Sequence, residues 1–359
     1  MKKNILLVDD SALMRRVLCD IIESDDRFHV LDRAVNGQEA LNLLQKKKYD
    51  AVVLNVNMPV MNGIELLKEL NKQKISAKIM MASTDTQEGA QVTLDALDLG
   101  ALDFIHKPTN AISCREDEFQ KRMLDVLEGV IESRAPEMGK KTFSIDEIQK
   151  TRKMLSIVQK NASKITGNRI VAMASSTGGP KALQSVIPKL PKNLKAPVLL
   201  VQHMPVGFTK SLADRLNSLS EITVSEAVEG EQLENGHVYL AMGGKHMNLS
   251  TTGGRYTIHY TDEPTREGVK PCANYMFESL AGATRFDEAV CVVLTGMGAD
   301  GTEGIKNLKS KKKVHVISQE QSTCTIFGMP KAVQNAGLTD QIVPLDQIAQ
   351  EIIMNVGVM

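Results

Sequence analysis

The sequence predicts an α/β fold built twice: two doubly wound parallel-sheet domains joined by a helical linker, the second carrying an antiparallel hairpin. Two observations carry this. Short apolar runs alternate with helical patterns over residues 1–131 and again from Arg169, and parallel neighbours need crossover connections, which are nearly always right-handed. The 359-residue length is about twice that of a common domain, so two separate cores are expected.

The elements follow in order. "NILLVDD" reads as the first strand, with a helix from Ala12 to about Glu23. "HVLDRAV", "AVVLN", "AKIMMAS" and "DFIHKP" supply four more strands, alternating with helices from Gln38, Gly63, Gln87 and about Glu116. Residues 132–168 read as a linker. Within it Ser144 and Glu147 have capping-box spacing and open a polar helical stretch that ends near Gly167. Its apolar residues Ile145, Ile148, Leu155 and Val158 form only a thin stripe, which suits a helix packed on a domain rather than a domain of its own. From Arg169 to the end, "RIVAMAS", "APVLLVQH", "HVYLAM", "EAVCVVLTG" and "KVHVIS" are strand-like, and "MNLSTTGGRYTIHY" reads as a hairpin around "TGG".

The totals exclude several classes. Lys+Arg and Asp+Glu both number 43, so no net field favours nucleic acid or an anionic membrane. The five cysteines are scattered, without a CxxC pair or zinc spacing, as in a reduced interior. Acids interrupt the apolar run of "MKKNILLVDD" too soon for a signal peptide, and no later run would span a bilayer. A cytoplasmic protein without direct membrane insertion is expected. The basic run "KSKKKV" from Lys309 reads as a solvated helix end.

Ligands of a doubly wound sheet bind beyond the carboxyl ends of its strands. In the first domain those ends carry Asp9 and Asp10, Asn55, Ser83 and Thr84, and Lys107. Adjacent carboxylates at one rim suit Mg²⁺, and a lysine with a hydroxyl completes a phosphate-binding set. "LLVDDSALMRR", "NMPVMNG", "MMAS" and "ALDFIHKP" resemble the response-regulator receiver domain over residues 1–131. The resemblance implies a flavodoxin-like fold, with Asp9 and Asp10 as the acid pair, Ser83 as switch hydroxyl, Phe104 as switch aromatic and Lys107 as the lysine. It places the phospho-acceptor at position 55, where this chain has Asn55. An amide lacks the anionic oxygen that attacks a phosphoryl group. Asp10 and Asn55 are the expected metal ligands, the amide through its carbonyl oxygen.

"RIVAMASSTGGPKAL" runs from strand to helix in the second domain. It fails as a P-loop, because Pro180 separates Gly179 from Lys181 and Ala182 follows. Nor does it have the GxSxG elbow. Pro180 fits the first helical position with Gly179 as cap, leaving Ser175 and Ser176 ahead of the helix, close to amides that favour developing negative charge. A serine nucleophile needs a base and an orienting group. Among seven histidines only His203 closes an apolar strand at the same rim, and the turn "LTGMGADG" carries Asp300. "ASSTGGP", "VQHMPVGFT", "AMGGKHMNL", "LTGMGADG" and "IFGMP" are similar to the catalytic domain of the chemotaxis protein-glutamate methylesterase family, CheB, over residues 169 to about 350. The resemblance implies Ser176 as nucleophile, His203 as general base and Asp300 as orienting acid. It implies the Met297 amide in an oxyanion hole, with Thr177 beside the nucleophile. Ala174-Ser175 stands where the family commonly has Gly-Ala, and Asn274 where it often has an aspartate.

The expected activity is hydrolysis of glutamyl methyl esters on chemoreceptor cytoplasmic domains, releasing methanol, with deamidation of receptor glutamines by the same acyl chemistry. Catalysis itself is expected to need no cofactor. Methylated chemoreceptors are the expected partners, with a chemotaxis histidine kinase docking on the receiver. A pure binding module would leave the Ser176, His203 and Asp300 set unused, and a transcription factor would need a basic DNA-reading module that is absent after residue 131.

Overall fold

The computed structural model describes residues 2–84, 87–108, 113–133, 167–252 and 255–359. The chain divides into two compact units, Met1–Thr142 and Phe143–Met359. The expected linker helix from Ser144 lies outside the described residues.

In the first unit β1 (Lys3–Val8), β2 (Phe28–Ala34), β3 (Ala51–Asn55), β4 (Ile79–Thr84) and β5 (Asp103–Lys107) form one sheet in the order β2-β1-β3-β4-β5. Every pairing is parallel. The helices α1 (Ala12–Glu23), α2 (Gly37–Leu44), α3 (Gly63–Gln73), α4 (Gln87–Asp98) and α5 (Asp117–Glu132) alternate with the strands, as the periodicity predicts. Local chemistry sets their starts. The Ser11 hydroxyl accepts the Met14 N–H at the head of α1, and Asn62 and Glu65 form a reciprocal capping box on α3. Val17, Leu18, Ile21 and Ile22 bury one face of α1 on the sheet. Chain order reverses at β1, so the rim beside β1 and β3 is the switch point where Asp9, Asp10 and Asn55 meet.

The second unit has a seven-stranded sheet in the order β14-β13-β12-β6-β7-β9-β8, again parallel in every pairing. Its central members are β6 (Arg169–Ser175), β7 (Val198–Gln202) and β12 (Glu288–Val293), flanked by β9 (His237–Leu240) and β13 (Val314–Gln319). Sequence reading missed both edges, β8 (Thr223–Glu226) and β14 (Gln341–Val343). They are four and three residues long, too short for an apolar run to register. The expected hairpin forms as β10 (His246–Thr252) and β11 (Arg255–Thr261), an antiparallel pair separate from the main sheet. Its turn residues 253–254 lie outside the described residues.

The helices of this unit are α6 (Gly179–Val186), α7 (Phe208–Leu219), α8 (Ala273–Ser279), α9 (Thr302–Lys309), α10 (Met329–Asn335) and α11 (Ile348–Val356). Helix α6 begins one residue earlier than expected, with Gly178 rather than Gly179 as cap and Pro180 in the second helical position. Gly178 has φ +75°, and a Cβ there would lie 2.3 Å from the Thr325 hydroxyl, so only glycine fits. Within the basic run, Lys309 pairs with Asp340, Lys313 with Glu288, and Lys312 donates to the Ala283 carbonyl. A single-signed surface for nucleic acid is thereby dispersed.

Candidate active site

Three strand ends of the second sheet converge. Ser175 and Gln202 are register partners on β6 and β7, so Ser176 and His203 are the next residues on two adjacent strands. The His203 N–H donates to the Ser175 carbonyl at 3.1 Å, and the Ser176 N–H to the Thr295 carbonyl beyond β12 at 3.0 Å. Backbone pairing thus brings the serine, the histidine and the turn bearing Asp300 to one rim. The two adjacent serines differ in environment. Ser175 is fully buried and its hydroxyl lies 2.7 Å from Gln202 Oε1, whereas Ser176 is partly exposed.

His203 Nε2 lies 2.7 Å from Asp300 Oδ2, with side chains 8% and 3% exposed. A carboxylate only accepts, so Nε2 carries the proton and Nδ1 is left as the basic atom. Asp300 also accepts from the Ala273 N–H at 2.6 Å, the Asn274 N–H at 2.9 Å and the Cys272 thiol at 3.0 Å. Burial alone would raise its pKa. The donors from His203, Cys272 and the Ala273 amide outweigh burial and bring it down to about 2. Burial, then the neighbouring carboxylate, push the Cys272 thiol up, so it stays a neutral donor.

Two peptide N–H groups in the turns next to Ser176 and Asp300 have no acceptor. Among the described residues, neither the Thr177 N–H nor the Met297 N–H makes a hydrogen bond. Each belongs to a peptide whose carbonyl is held twice. The Ser176 carbonyl accepts from Gly179 N–H at 2.7 Å and Gln202 Nε2 at 2.9 Å, and the Gly296 carbonyl from Gly328 and Met329 N–H at 3.0 and 2.8 Å. Since a trans peptide is planar with C=O and N–H opposed, clamping the oxygen aims the next N–H. Such preorganised donors suit a developing oxyanion. The fit depends on Gly296, where a Cβ would lie 2.8 Å from Ser176 Cβ and 2.4 Å from Met329 Sδ. Gly296→Ala is therefore expected to lower turnover by about 100-fold while the chain still folds, because a displacement of about 1 Å at a reacting group costs that much. Turnover per folded molecule, checked against near-native circular dichroism, would test it; full turnover would show that the turn has room to spare.

Some contributors escaped sequence reading. His246 is fully buried and accepts the Cys272 N–H at Nδ1 (3.2 Å). Asn274 accepts the Gly301 and Gly304 N–H groups on either side of the start of α9 and donates to Glu267, so it steadies the turn that bears Asp300. Gln202 is a polar residue ending an apolar strand directly before His203, the one local signal that it had a task.

The rim of the first unit gathers the residues expected there. Lys107 Nζ donates to Asp9 Oδ2 at 2.7 Å and to Asn55 Oδ1 at 2.9 Å. Asn55 Nδ2 donates to Asp10 Oδ1 at 3.0 Å and to the Asn57 carbonyl at 2.8 Å. Ammonium only donates and carboxylate only accepts, so these partners fix which way the amide faces. Ser83 is buried near the carboxyl end of β4, in register with His106 next to Lys107, whereas Phe104, also buried, is the second residue of β5 and lies three positions before Lys107, away from this rim. The donor set does not fit Mg²⁺ as it stands. Asn55 turns its nitrogen, which cannot ligate, toward Asp10, and Lys107 occupies both the amide oxygen and Asp9. Among the described residues no group of three His, Cys, Asp or Glu side chains could hold a metal.

Comparison with protein-family models matches residues 5–116 to the response regulator receiver domain and residues 171–352 to CheB methylesterase. A Bacillus licheniformis protein described as protein-glutamate methylesterase/protein-glutamine glutaminase is 41% identical over 97% of both chains. One so described from Pyrococcus abyssi is 40% identical over 98% of this chain and 93% of its own. The crystal structure of the Thermotoga maritima CheB methylesterase catalytic domain is 41% identical, with a TM-score of 0.50, covering 54% of this chain and all of that one. No helix among the described residues is long and apolar enough to cross a membrane. The chain therefore belongs to the CheB methylesterase family, with a response regulator receiver domain ahead of the methylesterase domain.

Proposed function

We propose that this chain hydrolyses glutamyl methyl esters on the cytoplasmic helices of methylated chemoreceptors, releasing methanol, and deamidates receptor glutamines by the same acyl chemistry. The observation that supports the reading is the 2.7 Å His203–Asp300 contact, with Ser176 and His203 each following a residue of the β6–β7 register pair Ser175–Gln202. Ser176 attacks the ester carbonyl while Nδ1 of His203 takes its proton. Thr177 and Met297 N–H receive the oxyanion. His203 then returns the proton to the departing methoxide, giving methanol, or to the departing amide nitrogen, giving ammonia. Water attacks the acyl-enzyme in a second round with the same base, freeing the glutamate carboxylate. Catalysis uses no cofactor in this scheme. The receiver binds a chemotaxis histidine kinase, with control altered by Asn55. Methanol release from methylated receptor membranes tests the reading, and a wild-type chain that releases none would refute it.

The pKa of Asp300 adds a prediction. Its carboxyl sits at about 2 when folded against an ordinary 3.8, so its ionised form stabilises the fold fully above about pH 4. That contribution is lost as pH falls toward 2. Asp300→Asn is expected to flatten acid unfolding in this window, followed by circular dichroism; an unchanged slope would show that the donors do not act as described. Asp300 remains charged throughout the neutral range. No acid limb of activity above about pH 4 therefore arises from this carboxylate.

A further inference from the structure

Gln202 touches both halves of the proposed machinery without facing the substrate. Its side chain is buried, 2% exposed, at the end of β7. Nε2 donates to the Ser176 carbonyl at 2.9 Å and lies 3.4 Å from the His203 carbonyl, while Oε1 meets the Ser175 hydroxyl at 2.7 Å. Two carbonyls can only accept, so Nε2 must face them and Ser175 must be the donor to Oε1. The carboxamide sits against α6, where a Cβ on Gly179 would come within 1.9 Å of Oε1. A glycine there is what admits the side chain. The Ser176 carbonyl shares its peptide plane with the Thr177 N–H, so any group that holds the oxygen also aims that N–H.

Resting on the reading above, we infer that Gln202, locked by Ser175, is a positioning residue: it sets the peptide plane that points the Thr177 N–H into the oxyanion hole. Ser175 thereby has a role that its neighbour cannot share. Its proton is committed to Gln202, which leaves Ser176 as the free hydroxyl. The arrangement also gives the departure at position 175 a purpose, because alanine there would leave Oε1 without its serine donor.

The test is steady-state methanol release from methylated receptor membranes by the full chain, per folded molecule. Gln202→Met keeps the volume and removes both Nε2 donors. It is expected to lower kcat about 100-fold, the loss seen when one oxyanion donor is misaimed, with KM within about twofold. Ser175→Ala is expected to lower kcat about fivefold, as for one buried hydrogen bond. The double variant should be no worse than Gln202→Met, because both act through one carboxamide. A Gln202→Met enzyme with full kcat, or with KM raised and kcat kept, overturns the inference. So does a double variant whose losses simply multiply. If Gln202→Met does not fold, Ser175→Ala decides alone: an unchanged kcat overturns the lock, and a lowered kcat at constant KM supports it. A wild-type chain that releases no methanol refutes the function itself, whereas an active wild type with an equally active Gln202→Met refutes only the positioning.

Discussion

Replacing Ser176 with Ala is expected to abolish methanol release, a loss of about 10⁴- to 10⁶-fold in kcat, while Ser175→Ala stays within about tenfold of wild type. The asymmetry follows from burial and hydrogen bonding at adjacent positions. Ser175 is sealed in the core against Gln202, so no ester could reach it without unfolding the end of β6. Ser176 stands one residue further on and is partly exposed, at the same rim as His203. His203→Ala should be about as damaging as Ser176→Ala, since a serine at its ordinary pKa is a weak nucleophile and a triad acts as a unit. Asp300→Asn should also be severe. Both Asp300 oxygens accept donors, so an amide NH₂ would oppose either the Ala273 N–H and His203 or the Asn274 N–H and Cys272. Exchanged phenotypes for the two serines would move the nucleophile by one residue and undo the geometry argued for Thr177.

The fold and the centre of the site were legible because both are written in periodic or terminal residues. Ten receiver elements follow from alternating apolar runs, and the acids, amide and lysine at strand ends were placed by the rule that parallel sheets present such ends at one rim. The strand-end positions of Ser176 and His203, and the turn that carries Asp300, were read in the same way. What stayed hidden depends on contacts between segments far apart in sequence. Nothing local to Cys272 says that its thiol meets Asp300, nor does "KHM" say that His246 accepts the Cys272 N–H. The orientation of Asn55 was hidden too. Its composition showed that a charge was missing, but only the positions of Lys107 and Asp10 show that the amide takes over both partners.

Asn55→Asp is expected to make the receiver phosphorylatable at position 55. In the wild-type rim two carboxylates and one ammonium leave one negative charge, and the amide satisfies Lys107 with its oxygen and Asp10 with its nitrogen. A carboxylate at 55 keeps the contact with Lys107 but loses the donor to Asp10. Two carboxylates about 3 Å apart repel and Lys107 is already shared with Asp9, so the variant should gain an affinity for Mg²⁺ that the wild type lacks. Thermal unfolding reads this directly: added Mg²⁺ should raise the midpoint of Asn55→Asp by a few degrees and leave wild type unmoved. A small phosphodonor should then place a base-labile acyl phosphate on the variant alone, detected by intact-mass spectrometry. The expected result for control is that an unphosphorylated receiver restrains the esterase. On that reading the full wild-type chain has low methanol release that no phosphodonor alters, and phosphorylated Asn55→Asp rises above it. Equal activity in all three states would mean that position 55 no longer governs the catalytic domain. An acyl phosphate on the unaltered chain would cut deeper, because it would show that a carboxylate other than residue 55 accepts the phosphoryl group, and that the amide bridging Lys107 and Asp10 does not silence this rim.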